Sequence, residues 1–474
     1  MIAKRNFKLK QNRKPQSNKS NNLVLGSIIG ASLFLSAGNF QTVLKYWQNQ
    51  QFINPRSEVY QSSKYQPIQL GSEEKIAQQD FSKIDEIAKN LNYSGASITE
   101  LANLLAANAT TEAEKARIIY AWITQHITYD VAAFYNAVNN NRYPDVNPKK
   151  VLSDRTTICS GYSNLYQALA EAMNLQSVIV IGYAKGATPN QERFEDVNHA
   201  WNAVRIDNEW YLLDATWGAG SINNAQFEAN YQPYYFATPP NEFINNHFPQ
   251  DSGWQLLPQT YTRAEFDNLP NIAARFYNLG LELLTHQNYL IPTNDRVTIS
   301  LKAPQNVVAI ADLQDSNKNV LDNTTLVNRQ GDNIDITVAP PLAGTYDLKI
   351  YAKHQSDPDK YGEVITYQVT TTQAATQLPK IYGHFQEYQA TLIEPLNKDL
   401  QSNWSTYFNL IVPSAIDVQV VNTTTNQATP LNAYGTYFAG SVDIQPGNTI
   451  IIAKFVGDEQ YWQLVEYQST SYSE

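Results

Sequence analysis

The prediction of the fold and of the site starts from the stretch Thr157-Ile158-Cys159-Ser160-Gly161-Tyr162. This stretch contains the only cysteine among the 474 residues. An extended run ends there at a turn, and an amphipathic run follows it. This pattern predicts that Cys159 lies in the first turn of a helix, where unpaired N–H groups and the helix dipole favour a thiolate. A lone cysteine is more often an inert buried side chain. A functional interpretation therefore needs partner residues.

Two β-prone runs meet at Asp207-Asn208 and predict a hairpin. With a two-residue loop, Ile206 pairs with Glu209, and His199 and Asp214 become diagonal neighbours on one face of the hairpin. A three-residue loop would place them on opposite faces. A site that uses both side chains therefore requires an even-numbered loop.

A thiol at a helix N-terminus needs a base to activate it, and the base needs an acceptor to orient it. Cys159, His199 and Asp214 supply these residue types in an arrangement that can converge. We therefore predict that these three residues are catalytic. We expect Trp201 and Trp217 to line the core or the cleft.

Three segments resemble the transglutaminase-like superfamily. They are the helix that ends at residues 127–130, the turn Cys159-Ser160-Gly161-Tyr162, and the strand pair 199–202 and 213–217. Residues 235–257 further resemble the bacterial kyphoscoliosis peptidase-like branch of this superfamily, and the whole resemblance covers residues 75–260. It implies a papain-like α+β domain.

The resemblance also implies a role for each residue. Cys159 is expected to be the nucleophile, His199 the general base and then the general acid, and Asp214 the residue that orients His199. The chemistry implied is acyl transfer through a thioester, with the backbone N–H of Cys159 as one oxyanion donor. Animal cross-linking transglutaminases have Trp directly after the cysteine, whereas this chain has Ser160, and this departure favours hydrolysis over cross-linking.

The C-terminal half changes to a period of two from about Arg296, with turn residues between short β runs. This pattern predicts two all-β, immunoglobulin-like sandwiches, and Gly344-Thr345-Tyr346 resembles a tyrosine corner. We predict spacer modules here, with binding of cell-surface or cell-wall polymers as the alternative. The predicted domains are a basic tail with an apolar segment (1–40), a linker (41–73), a transglutaminase-like domain (74–260), a helical connector (261–290) and sandwiches at 291–372 and 378–474.

The N-terminus carries seven Lys and Arg residues and no acid within its first 20 positions, and an uncharged apolar stretch follows. This pattern is typical of a signal peptide or an uncleaved membrane anchor, and both predict an exported body. The overall net charge of −10 argues against nucleic-acid binding.

The histidines other than His199 show no ligand spacing, so we expect no metal and no other cofactor. We expect His247 to pack rather than to take part in chemistry. The sequence thus predicts an exported cysteine peptidase or amidohydrolase that acts on protein or peptide substrates. A catalytically weak binding scaffold and an amine-accepting cross-linker are the alternatives.

Overall fold

The computed structural model of the protein describes residues 76–140, 142–186, 197–358 and 361–470. The predicted basic tail, apolar segment and first linker all lie before residue 76, outside the described residues. The chain divides into two compact units, with the boundary between residues 274 and 275. Within the described ranges, no helix is both long enough and apolar enough to cross a membrane.

The first unit combines helices with a five-stranded antiparallel sheet. Its helices are α1 Ser82–Asn90, α2 Ile98–Ala106, α3 Glu112–His126, α4 Val131–Asn140, α5 Pro148–Asp154, α6 Cys159–Ala172, α7 Ala215–Ala219, α8 Pro240–Phe243 and α9 Arg263–Asp267. Its strands are β1 Thr128–Tyr129, β2 Thr156–Thr157, β3 Ser177–Ala184, β4 His199–Ile206, β5 Glu209–Leu213, β6 Gly220–Asn223, β7 Gln226–Ala229, β8 Phe236–Thr238, β9 His247–Pro249 and β10 Asn271–Ile272. The order of strands in the main sheet is β8-β5-β4-β3-β9.

Helix α3 lies in the middle of this unit. It begins with a complete capping box, in which Thr111 accepts from the backbone of Glu114 and the Glu114 side chain accepts from the backbone of Thr111. Its residues from Ala116 to Thr124 are all buried. Helix α6 packs against α3 and also against strands β3 and β4. The start of α6 is therefore held between the helical layer and the sheet.

The second unit contains almost only strands. Its helices are α10 Ala274–Asn278, which spans the boundary, and α11 Gly383–Glu387. Its strands up to residue 371 are β11 Glu282–Leu283, β12 Leu290–Thr293, β13 Val297–Lys302, β14 Val307–Gln314, β15 Thr325–Gln330, β16 Asn333–Val338, β17 Gly344–His354 and β18 Gly362–Thr371. The remaining strands are β19 Lys380–Ile381, β20 Thr391–Glu394, β21 Asp399–Gln401, β22 Ser405–Ile411, β23 Ala415–Asn422, β24 Gln427–Pro430, β25 Asn432–Tyr434, β26 Tyr437–Asp443, β27 Gly447–Phe455 and β28 Trp462–Thr470.

These strands form two successive pairs of sheets. In the first pair, one sheet contains β12, β18, β17 and β14, and the other has the order β11-β13-β16-β15. In the second pair, one sheet contains β19, β28, β27, β23 and β24, with β21 beside β28, and the other has the order β20-β22-β26-β25. The Tyr346 hydroxyl donates to the backbone oxygen of Leu342 at 2.9 Å, as in a tyrosine corner. The chain thus has an α+β core domain followed by β-sandwiches, as the sequence predicted.

The predicted helical connector differs from the structure. Residues 261–290 contain two helices of five residues each, α9 and α10, and the short strands β10 and β11. Pro270 lies between the two helices and has no N–H to donate. Gly280, at φ +67°, ends the second helical stretch in the left-handed region. Strand β11 already belongs to the first sandwich, where it pairs with β13.

Candidate active site

Cys159 is the first residue of helix α6, as predicted. The preceding residue, Ile158, has an extended backbone and makes no side-chain capping hydrogen bond. The Ile158 side chain therefore caps none of the first backbone N–H groups of the helix, in whose first turn Cys159 lies. Position 161 requires glycine, because a Cβ there would overlap with the Thr157 side chain.

The hairpin of β4 and β5 has the predicted register. Ile206 pairs with Glu209, and the pairing continues to Asn202 and Leu213. Asp207 and Asn208 form the two-residue loop, with φ values of +50° and +71°. Both residues tolerate this left-handed conformation better than most others do. His199 and Asp214 therefore lie on one face, as the even-numbered loop requires.

The structure brings the three predicted residues together. The Nε2 atom of His199 lies 2.7 Å from Oδ2 of Asp214. The Cys159 thiol is close enough to the same imidazole to act on its pKa, and Nδ1 is the ring nitrogen that does not contact Asp214. The exposed fractions are 8% for Cys159, 7% for His199 and 0% for Asp214. The order is thus thiol, imidazole, carboxylate, in a site almost closed to solvent.

Asp214 has a structural task as well. It is the N-cap residue of helix α7, and its Oδ1 atom accepts from the backbone N–H groups of Thr216 at 2.8 Å and Trp217 at 3.1 Å. Its own backbone N–H donates to the oxygen of Tyr235 at 2.8 Å. These contacts fix the carboxylate, so that Oδ2 points to the imidazole.

The ring of His247 packs on Phe243, as expected, but it also contacts this site, which the sequence did not predict. Its Nε2 atom lies 3.0 Å from the same Oδ2 atom of Asp214. Strand β9 places it there by pairing with β3, with His247 opposite Ala184. The sequence offered one signal, a histidine within the mainly apolar run 243–249. The contact itself depends on a pairing between strands far apart in the chain, which the sequence pattern does not specify.

The surroundings of the two histidines shift their pKa values in opposite directions. Burial by itself would lower the pKa of His199, but the charge and hydrogen bond of Asp214, together with Cys159, raise this pKa to about 10. Burial lowers the pKa of His247 to about 4, because its contact with Asp214 only partly offsets the loss of solvation. Burial would raise the pKa of Asp214, but the two histidines hold it well below its usual range. At neutral pH, the charged pair is therefore His199 with Asp214, and His247 is neutral.

The same three side chains meet the distance criterion for a metal site. One ligand atom from each of His199, Asp214 and His247 lies within 4.8 Å of the others, although their sequence spacing gave no sign of this. Both Nε2 atoms are directed at one carboxylate oxygen, at 2.7 and 3.0 Å. A metal ion would have to replace both of these hydrogen bonds, which already explain the cluster. The absence of a metal stays a prediction.

Comparisons with known proteins agree with this description. Residues 99–215 match the family model of the transglutaminase-like superfamily, and residues 263–382 match the model of the KY-like, immunoglobulin-like domain. The second match begins inside the predicted helical connector and ends beyond the predicted boundary of the first sandwich. The first matched region contains α6 and the hairpin of β4 and β5, and the second contains the strands of the first sandwich, β11 to β18.

Three curated relatives show the extent of the similarity. Human kyphoscoliosis peptidase is 31% identical over 294 residues, which cover 61% of this chain and 43% of that protein. The Lim and transglutaminase domain protein ltd-1 of Caenorhabditis elegans is 28% identical over 243 residues, which cover 47% of this chain and 33% of that protein. Hillarin of Drosophila melanogaster is 29% identical over 218 residues, which cover 43% of this chain and 26% of that protein. The chain thus spans less than half the length of these relatives. Residues 99–215 belong to the transglutaminase-like superfamily, and a KY-like, immunoglobulin-like domain follows them in the chain.

Proposed function

We propose that the protein is a cysteine-dependent acyl-transfer enzyme that acts as a peptidase or amidohydrolase. The single observation that supports this most is the convergence of three residues: Cys159 begins a helix, His199 contacts Asp214 at 2.7 Å, and the thiol is close enough to act on the pKa of His199. A thiol, a base and an orienting carboxylate in this order are the parts that covalent acyl transfer needs. The superfamily match is consistent with the same chemistry.

In the proposed reaction, the proton of the Cys159 thiol passes to His199 before the substrate binds, and the thiolate sulfur attacks the carbonyl carbon of an amide. The backbone N–H of Cys159 donates to the oxyanion. The C–N bond then breaks, His199 gives its proton to the departing amine, and a thioester remains on Cys159. Water, deprotonated by His199, attacks the thioester, the C–S bond breaks, the acid leaves, and the thiolate is again paired with the imidazolium. Asp214 keeps its negative charge and stabilises the imidazolium of His199.

Hydrolysis and amine transfer share every step up to the thioester. Ser160 follows the cysteine where the cross-linking animal enzymes have Trp, which favours water as the acceptor. One relative is named a peptidase, which points the same way. We therefore propose hydrolysis of peptide or isopeptide bonds, with amine transfer as the outcome to be tested against it.

A trapping experiment tests the proposal. The protein is mixed with p-nitrophenyl acetate, and we expect a burst of p-nitrophenolate close to one equivalent, with the acetyl group located on Cys159 by peptide mass mapping. Cys159→Ala should abolish the burst, and His199→Ala should slow it by about a thousandfold. No acetyl on Cys159 in the parent protein would refute the proposal. A glutamine peptide with hydroxylamine then separates the acceptors, since hydroxamate formation without peptide hydrolysis would indicate a cross-linker.

A binding scaffold is the second candidate, and one observation favours it. Cys159 and His199 are only 8% and 7% exposed, so access to the thiol is narrow. Iodoacetamide distinguishes the two functions. An active site predicts fast alkylation at pH 6 that becomes slow in His199→Ala, whereas a scaffold with a buried structural cysteine predicts slow alkylation in both proteins.

Export, membrane attachment and a protein or polymer partner remain proposals as well. They rest on residues 1–40 and on the sandwiches as spacers or binding modules. A fusion of residues 1–73 to a reporter enzyme that is active only outside the cytoplasm tests export. Activity of this fusion, and its loss when the Lys and Arg residues of the tail are replaced by Asp, is the expected result.

A further inference from the structure

Asp214 has all the hydrogen-bond partners that a carboxylate can readily accept. Two backbone N–H groups approach Oδ1, and the Nε2 atoms of His199 and His247 approach Oδ2. The group is completely buried, so no solvent can replace a lost donor. Removal of any one donor must therefore change the charge or the position of the carboxylate.

The His247 ring is fixed on several sides. It stacks on Phe243 with 3.9 Å between the ring centroids and an angle of 16°, and Trp217 lies at 4.4 Å. Its Nδ1 atom lies 2.6 Å from Oδ1 of Asn246, and Nδ2 of the same amide donates to the oxygen of Ile272 at 3.4 Å. The imidazole can therefore present only its Nε2 edge to Asp214.

We propose that His247 is a positioning residue for the proposed acyl transfer, which donates a hydrogen bond to Asp214 and thereby sets the orientation of His199 toward Cys159. This inference rests on the proposed function of the same site. It adds a fourth side chain, which does not touch the substrate and acts through Asp214. In this arrangement the carboxylate lies between two imidazoles, one on the side of the nucleophile and one on the side of the core.

The charge state of His247 fits this role. The titratable groups that face it are Asp214, His199 and Tyr235, the last with ring centroids 6.3 Å apart. Burial is the main cause that lowers the pKa of His247, to about 4. A neutral His247 that donates through Nε2 carries no proton on Nδ1, so the Asn246 amide must then present its Nδ2 to this nitrogen. In that state the negative charge of Asp214 stays available to the imidazolium of His199. A cation at this position would compete with His199 for that charge.

Three substitutions test the proposal on the full chain. In His247→Gln, the side-chain amide nitrogen can reach the place of Nε2, and the donor is kept. In His247→Asn, the same amide group is too short to reach Asp214. In His247→Leu, the donor is absent. The measurement is the rate of Cys159 alkylation by iodoacetamide between pH 5 and pH 9, together with thermal unfolding of each variant.

We expect the Gln variant to keep the pH profile of the parent protein. The Asn and Leu variants should react about tenfold more slowly at pH 6, as is typical when one hydrogen bond to a charged group is lost. Equal pH profiles for the Gln and Asn variants would overturn the proposal, because the two side chains carry the same amide group and differ only in length. If the Leu variant does not fold, this pair still decides the question. A parent profile that changes with EDTA would overturn it in favour of a metal site.

The outcome for His247 is separate from that for the proposed function. An acid-shifted thiol profile that depends on the donor, without any acetyl burst, would keep the positioning role and reject the acyl-transfer function. A normal burst with an unchanged profile in His247→Asn and His247→Leu would keep the function and reject the positioning role.

Discussion

Gly182 lies directly opposite His199 in the pairing of β3 with β4. Its missing side chain leaves room for the neighbours of the site. A Cβ at this position would overlap with the backbone oxygen of Phe248 and would lie 2.5 Å from Cη2 of Trp201. On its other side, Gly182 pairs with Pro249 in the strand that carries His247. One glycine therefore allows both histidine-bearing strands to approach.

We expect Gly182→Ala to disturb the site more than the fold. Overpacking of this kind costs about 1–3 kcal/mol of stability, and the displaced Trp201 and β9 would move both histidines. The predicted result is a loss of the acetyl burst at temperatures where the protein is still folded. Gly383→Ala is the matched control, since nothing lies within 4 Å of a Cβ there. A fully active Gly182→Ala protein would contradict this account of the packing.

A buried ion pair supports the segment that holds Asp214. Arg117 donates to both carboxylate oxygens of Asp85 at 2.7 Å, and its third contact is the oxygen of Pro233 at 3.1 Å. Pro233 begins the short helix that ends at Tyr235, whose backbone oxygen accepts from Asp214. Through this sequence of contacts, helices α1 and α3 fix the backbone beside the site.

Asp85→Ala leaves the buried guanidinium without its partner, which should cost about 3 kcal/mol of unfolding free energy. The midpoint of urea unfolding in the first unit measures this. Asp154→Ala serves as the comparison, because its partner Lys150 is exposed and such a surface pair contributes no more than about 1 kcal/mol. If the two substitutions had equal effects, the buried pair would not have the structural role assigned to it.

Stability should depend on pH through the two histidines in opposite directions. The folded-state pKa of His247 is about 4, below the ordinary 6.5, so the unfolded chain binds its proton first as the pH falls. The free energy of unfolding therefore decreases through His247 as the pH falls from 6.5 to 4. The folded-state pKa of His199 is about 10, so its stabilising contribution is complete below pH 6.5 and is lost as the pH rises toward 10.

Urea unfolding at several pH values measures both contributions. His247→Gln should reduce the loss of stability between pH 6.5 and pH 4, and His199→Gln should reduce the loss above pH 6.5. An unchanged acid slope in His247→Gln would show that this histidine is not buried in its neutral form.

The local part of the site could be predicted from the sequence. The start of α6 at Cys159 and the register around Asp207 and Asn208 depend on turn residues and on neighbouring strands, which a short window contains. The position of His247 could not be predicted in this way, because it depends on the pairing of β9 with β3. The prediction of a helical connector differs from the structure for a related reason, since strand β11 within it pairs with β13 further along the chain.

The capping role of Asp214 changes what its presence in a sequence means. Two backbone N–H groups at the start of α7 depend on this carboxylate whether or not any chemistry takes place. A lineage that abandoned catalysis would still be under selection to keep Asp214 for folding, whereas the Cys159 thiol would be free to drift to alanine or serine. In surveys of related sequences, a retained aspartate at this position is therefore weak support for activity, and the cysteine is the residue to inspect.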